Sequence, residues 1–304
     1  MNTLTEGEHA FDRKVAFSRN LGLVTPAESD TLARSRVAIA GLGGVGGAHM
    51  EVLARQGIGG FTLADPDTFE MANINRQFGA TCGTFGRRKT EVSAQRILDI
   101  NPTTQITVME EGIRPDNLDI FLKDAKVVID GLDAFLIDTR RFLYRSARDR
   151  GIPVVAAGPL GFGATLLVFT PDGMAFDDYY GLEDGMAWDE QFARFLLGTS
   201  PKAFHLPYLD VSYVDVKKHR GPSSSIGVTL CAAVVGMETL RLLLGWAGVR
   251  PAPMYAQYDA RRRKWHEGHL WGAHRHPLQK LKLAIFRRRL QKLLRPNDLR
   301  PPTV

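Results

Sequence analysis

The chain has 304 residues, is 44% hydrophobic and carries a formal charge of +6, so it can bury a sizeable core without covalent staples. Its two cysteines, Cys82 and Cys231, exclude a disulfide framework and a four-cysteine zinc site, and they suit a reducing cytoplasm. No apolar leader opens the sequence, and its longest apolar stretch, Ile226 to Trp246, is broken by Thr229, Glu238, Thr239 and Arg241, so neither a signal peptide nor a membrane span is expected.

The charge is unevenly spread. Seven Lys/Arg and no acid fall between His276 and Arg295, which leaves the rest of the chain close to neutral and assigns any anionic partner to the tail.

In chain order, Arg36 to Ala40 reads as a buried strand, GLGGVGG follows at 41–47, and His49 to Gln56 reads as a helix closed by Gly57. Phe61 to Asp65 is a second strand, and Lys89 to Ile100 a helix stopped by Asn101-Pro102. The alternation continues with a strand at Ile106–Met109, a helix from Pro115 to Lys123, a strand at Lys126–Asp130, a helix from Asp138 to Arg150 and a strand at Ile152–Ala156. Such alternation predicts an α/β, Rossmann-like, doubly wound and mostly parallel sheet. After Gly158 the pattern changes: Ala164 to Phe169 is a strand with no crossover helix behind it, a C-terminal antiparallel extension. Residues 174–222 read as an irregular crossover segment with one helix near Asp189–Leu197, followed by a long helix from Ser225 to Leu244 and a hairpin of Met254–Tyr258 with Arg263–His266. The expected organisation is a nucleotide-binding core with an N-terminal arm over 1–170, a segment over 171–268 completing the same domain, and a basic amphipathic tail over 269–304.

Gly41-Leu-Gly43-Gly-Val-Gly46 is a G-x-G-x-x-G fingerprint between strand and helix, with Asp65 closing the next strand. The first glycine permits a tight turn, the second lets a phosphate approach the backbone and the third lets helix and strand pack closely, while the helix N-terminus offers free N–H groups to an anion. Asp65 is placed to accept from ribose hydroxyls. On this fingerprint alone a dehydrogenase, a flavin protein and an adenylating enzyme remain open.

The next stretch separates them. Asp65-Pro-Asp67 leads to Asn73-Ile-Asn75-Arg76-Gln77, and Gly86-Arg-Arg-Lys89 opens a helix. An acid, N-x-N-R-Q and a helix-borne lysine resemble the ATP site of the ThiF/MoeB/HesA (ubiquitin-activating-like) adenylyltransferases. Arg19 in FSRNLGL, Ile100-Asn-Pro102 and Asp130-Gly-Leu-Asp133 resemble further motifs of that family. The resemblance implies ATP and Mg²⁺, with Gly41, Gly43, Gly46, Asp65, Asp67 and Asn73 at the nucleotide, Arg76 and Lys89 on its phosphates and Asp133 holding Mg²⁺. Asp130 supports the strand end, and Asn75 stays open between turn and ligand roles. Arg19 would reach the ATP of a second subunit, which implies a homodimer. Cations of these types suit the chemistry, because adenylyl transfer to a carboxylate brings two anions together.

The chain departs from many relatives in having no zinc cysteines in 171–180 and no cysteine anywhere in 172–220, so neither zinc nor a thioester relay is expected. Cys231 reads as a buried inert thiol, and Cys82 as an exposed one. The expected activity is activation of a carrier-protein or peptide C-terminal carboxylate, or a carbonyl oxygen, as an acyl-adenylate with release of pyrophosphate. The alternatives are a non-catalytic nucleotide-binding scaffold and a tRNA-modifying dehydratase-like enzyme. Lys217-Lys-His-Arg220 is a candidate lip of an acceptor groove, and His205 and His219 are candidate proton carriers. The tail spaces Leu278, Leu281, Ile285, Phe286, Leu290, Leu293 and Leu294 helically against Lys and Arg. That pattern fits docking on its own domain, an acidic partner or RNA, or an anionic membrane surface, which would make a cytoplasmic protein peripherally membrane-bound.

Overall fold

The computed structural model describes residues 10–216, 218 and 220–294, with side chains through 288; Lys217, His219 and Arg295, and the tail side chains from 289 on, lie outside it. A short arm, α1 (Arg13–Ala16) and α2 (Pro26–Arg34), precedes β1 (Arg36–Ala40), α3 (Gly44–Arg55), β2 (Gly60–Ala64), α4 (Lys89–Ile100), β3 (Gln105–Met109), α5 (Leu118–Leu122), β4 (Val127–Asp130), α6 (Ile137–Asp149) and β5 (Val154–Leu160). Then come β6 (Gly163–Phe169), α7 (Phe176–Tyr180), α8 (Trp188–Thr199), α9 (Ser225–Leu244), β7 (Met254–Asp259), β8 (Lys264–His269) and α10 (Pro277–Leu294).

These strands form one eight-stranded sheet in the order β3-β2-β1-β4-β5-β6-β7-β8. The first five are parallel and the last three join antiparallel, the mixed α/β sheet that the alternation predicts. The chain order reverses between β1 and β4, and a ligand crevice opens beyond the carboxyl ends of strands at such a switch point.

Alternation along the buried strands feeds two cores. Val37, Ile39, Val127 and Ile129 face the layer containing α3, α4 and α9, while Ala38, Ala40 and Val128 face Phe121, Leu143, Tyr179 and Phe192 on the other side. By length and composition α9 could cross a membrane, but here it packs on β5, β6 and α3, with Cys231 and Val235 fully buried. Burial pushes the Cys231 thiol well above its ordinary pKa, as an inert core thiol requires.

Of the boundaries that differ from the sequence reading, three have a visible cause. Helix α3 begins at Gly44 rather than His49, because the last glycine of the fingerprint is itself helical. Helix α5 begins at Leu118 rather than Pro115: the Asn117 side chain accepts from Arg114 N and donates to Gly112 O, holding 114–117 as a turn. Strand β5 continues to Leu160 because β6 pairs with it through Gly158, Pro159 and Leu160. The crossover segment also contains α7, which buries Phe176, Tyr179 and Tyr180. In the tail, Leu283 and Phe286 of α10 pack against the core, Arg287 pairs with Glu190, and Lys282 Nζ donates to Pro201 O (3.0 Å), so this part docks on its own domain. Leu278, Leu281 and Ile285 remain exposed.

Candidate active site

The glycine fingerprint lies at the switch point, and its spacing is set by backbone contact. Gly41 has φ +83°, and a Cβ there would lie 2.5 Å from Gly131 O; one on Gly46 would lie 1.8 Å from Gly41 O. Gly131, the second residue of Asp130-Gly-Leu-Asp133, closes the set, since its own Cβ would lie 2.7 Å from Gly46 Cα. These contacts seat the turn after β4 against the start of α3. No side chain caps α3, whose N-cap is Gly43, so its first N–H groups face the crevice.

Asp65, at the end of β2, is buried and locks this loop: Oδ2 accepts from Leu42 N (2.6 Å) and Oδ1 from Asp67 N (2.9 Å). Burial raises its pKa, against the charge of Lys89 and these two donors. Lys89, at the first turn of α4, is only 6% exposed; its Nζ lies 2.9 Å from Asp67 Oδ2 and 4.0 Å from Asp65 Oδ1. A buried ammonium is therefore held between two carboxylates beside the glycine loop.

Arg76 lies against the start of α3. Its Cγ and backbone O border Gly44, while Nη1 donates to Ala72 O (3.0 Å) and Asn75 Oδ1 (2.9 Å). Asn75 Nδ2 in turn donates to Ser223 O (2.9 Å), tying this turn to the segment before α9. Asn73 makes a local cap: its Oδ1 accepts from Glu70 N (2.9 Å) and the Glu70 side chain accepts from Asn73 N.

The Asp130 carboxylate is buried, accepting from Arg140 Nε (2.8 Å), Tyr144 OH (2.8 Å) and Leu132 N (3.0 Å). Burial and the Asp130 charge push the Tyr144 phenol well above its ordinary pKa, so it remains a donor. Arg140 also donates to the carbonyls of Leu132 and Asp133 (2.6 Å each), fixing the turn that carries Asp133. Asp133 itself is exposed, with Oδ1 accepting from Phe135 N (3.0 Å). Among the described residues no three His, Cys, Asp or Glu side chains gather as a metal cage. A lone carboxylate beside a phosphate loop still fits Mg²⁺, which takes one or two carboxylates and completes its shell with phosphate oxygens and water.

Contacts link Gly41, Gly43, Gly46, Asp65, Asp67, Lys89, the backbone of Arg76 and the turn leading to Asp133 around the glycine loop, whereas Asn73 is held in its own local cap and Arg19 lies apart. Its segment is tied to the far end of α3, where Asn20 Nδ2 donates to Arg55 O (3.2 Å). The 12 residues of α3 span roughly 18 Å, beyond the reach of an arginine side chain. Three neighbours were not read from sequence. Gln77 is buried against Gly43 with Oε1 lacking a partner among the described residues, Arg140 braces the Asp133 turn, and Gly131 interlocks with the fingerprint. Gln77, within N-x-N-R-Q, and Gly131, within Asp130-Gly-Leu-Asp133, stand in motifs that could have signalled them; Arg140 does not. His205 has its pKa lowered by burial, against the charge of Asp259, and its Nδ1 has no partner among the described residues. Cys82 is exposed on the loop before α4.

A doubly wound sheet with an uncapped glycine turn at its switch point, a buried acid and a buried lysine beside it defines a nucleotide-binding α/β protein. The sequence matches the ThiF family over residues 17–280, and the chain belongs to that family. It is similar to the tRNA threonylcarbamoyladenosine dehydratase of Haemophilus influenzae, 36% identical over 140 residues covering 46% of this chain and 53% of the relative. It is also similar to the sulfur carrier protein ThiS adenylyltransferase of Escherichia coli, 34% identical over 137 residues covering 45% and 54%. The chain thus spans about half the length of these curated relatives. Among solved structures, PaaA matches with a TM-score of 0.64 at 19% identity over 88% of this chain and 77% of that one. E. coli MccB with ATP matches at 0.62 and 17% identity over 90% and 74%. These two likenesses show the fold.

Proposed function

We propose that this protein binds ATP and transfers its adenylyl group to the C-terminal carboxylate of a protein or peptide acceptor. The observation that carries the reading is the buried Lys89 ammonium, held against Asp65 and Asp67 beside an uncapped helix N-terminus. A triphosphate carries more negative charge than a dinucleotide's pyrophosphate, and that charge grows on the leaving group, so a cation here serves adenylyl transfer in particular. In the step, an acceptor carboxylate oxygen attacks the α-phosphorus, the bond from that phosphorus to the β-phosphate bridging oxygen breaks, and pyrophosphate leaves with the electron pair. Lys89 exchanges Asp67 for phosphate oxygens, Arg76 leaves its turn to meet the charge on the leaving group, and the N–H groups of α3 hold the remaining phosphate. Asp133 would hold Mg²⁺, which supplies further charge neutralisation on the phosphates.

Arg19 fits this reading through a second copy of the chain. Its segment exposes Val15, Leu21 and Leu23, and the site is bordered by exposed Met71, Ile74, Phe78 and Ile226. Apolar surface on both the delivering and the receiving element favours a two-fold dimer in which each Arg19 completes the partner's site.

The test is acceptor-dependent exchange of labelled pyrophosphate into ATP, with carrier proteins, peptides and tRNA as separate arms. Exchange with a protein or peptide supports the reading, and exchange with tRNA alone moves the acceptor to the second reading, dehydratase-like activation of a tRNA-borne carboxylate, which the 36% identical relative favours. Nucleotide binding with no exchange in any arm leaves a scaffold.

A further inference from the structure

The basic helix α10 carries two apolar faces, and its own domain covers one of them. Leu283 and Phe286 pack against the core, beside the Arg287–Glu190 pair. Leu278, Leu281 and Ile285 stay 60%, 57% and 50% exposed. At 3.6 residues per turn these three fall within an arc of about 60°, turned away from Leu283 and Phe286, so they form one stripe along the outside of the helix. Three branched aliphatic side chains in a row make a surface that favours a cover.

Charge narrows what the cover can be. By helical spacing Arg288 borders the stripe on one edge and Lys282 on the other. Lys282 Nζ donates to Pro201 O, which sets it beside Lys202, and burial together with that second ammonium lowers its pKa. The sequence from His276 to Arg295 holds seven Lys/Arg and no acid. On the neighbouring α8, Glu190 is taken by both Arg194 and Arg287, and Asp189 accepts from the backbone N–H of Glu190. Among the described residues Arg287 is the one cation of α10 with a carboxylate partner.

An RNA strand would meet a stripe with no ring on which a base could stack. A bilayer of anionic lipid suits both properties at once, because aliphatic side chains enter the boundary of the acyl chains while long cationic ones on either edge reach the headgroups. Trp271, exposed on the turn that leads into the helix, is of the residue type enriched at that depth.

We propose that the outer face of α10 lies on an anionic membrane surface, with Leu278, Leu281 and Ile285 entering the interface and Lys282 and Arg288 on the headgroups, while the inner face stays docked on the domain. The attachment is peripheral, and it stands or falls independently of the adenylation reading.

The test is co-sedimentation of the full chain with vesicles of phosphatidylcholine alone and of an equal mixture with phosphatidylglycerol. The expected result is that the anionic vesicles bind about 100-fold more tightly at low salt, and that this margin shrinks as salt rises from about 50 to about 500 mM. A Leu278→Ser/Leu281→Ser/Ile285→Ser triple variant should keep the wild-type thermal transition, since the side chains it shortens are already outside, and lose at least about tenfold in affinity for the anionic vesicles. A Lys282→Gln/Arg288→Gln double variant should cut the anionic preference about tenfold. If the triple variant loses its transition, Leu281→Ser alone takes its place. No sedimentation, equal binding to the two compositions, or wild-type binding by either variant would overturn the proposal. So would polyglutamate or an RNA oligonucleotide that binds more tightly than the vesicles and depends on the same three aliphatic residues, since the stripe would then belong to that partner.

Discussion

The glycine turn at the switch point and the crossover segment are held by different means. At the switch point the backbone of Gly41, Gly46 and Gly131 is in contact with itself, and no side chain fits between the segments. The crossover segment is held by side chains: Phe135, Trp188 and Phe192 stack with ring centres 4.9 Å apart between Trp188 and Phe192 and between Phe135 and Phe192, and Arg141 and Arg145 share Asp177 and Asp184. Backbone contact admits one residue type, whereas side-chain packing admits many. The first region therefore keeps one backbone geometry, while the second tolerates change.

Gly46→Ala tests this contrast most severely. A Cβ 1.8 Å from a backbone carbonyl cannot be relieved by a rotamer change, and we expect destabilisation of at least about 4 kcal/mol, seen as loss of the cooperative thermal transition. A Phe135→Leu change in the aromatic stack against the crossover segment is expected to cost only about 1 to 2 kcal/mol; equal effects at the two positions would erase the distinction.

Lys89→Met separates fold from chemistry. We expect pyrophosphate exchange to fall by about 100-fold or more while circular dichroism stays that of the wild type, because the lost cation is one the transition state needs. Undiminished exchange would remove Lys89 from the phosphate site.

A pH-dependent effect concerns His49 on α3, which is fully buried with neither ring nitrogen partnered among the described residues, and whose pKa burial lowers to about 3. A depressed folded-state value means that stability present above pH 6.5 is lost as pH falls toward 3. Between pH 8 and pH 5 the loss is about 2 kcal/mol. Asp65 works in the opposite sense, because its raised pKa gives stability at low pH that is lost as pH rises. The difference between wild type and His49→Leu isolates the histidine, and urea denaturation at the two pH values should show a shallower acid loss in the variant. Equal slopes would mean that His49 is solvated.

What the sequence disclosed follows the same division. Gly41, Gly43 and Gly46, Asp65, the Asn73 to Gln77 run and Lys89 are legible because a turn pressed against a helix and a phosphate tolerates few residue types at fixed spacing. Strand and helix periodicity likewise gave the parallel half of the sheet. Arg140 was hidden because it acts on the Asp133 turn from seven residues further along, a relation made only by the packing of α6. The tail was legible in part: the helical spacing of Leu278, Leu281, Ile285 and Phe286 stands in the sequence, but which of them the domain covers is decided only by the packing of α10 on α8.

The proposed function requires an acceptor carboxylate to attack ATP at the α-phosphorus beside the glycine turn. Peptides whose C-terminal carboxylates carry oxygen-18 put it to a direct test, with mass spectrometry of the AMP released after the intermediate is hydrolysed. Adenylation predicts AMP that has gained one heavy oxygen from the peptide. Unlabelled AMP, or ADP and phosphate in its place, would contradict the claim.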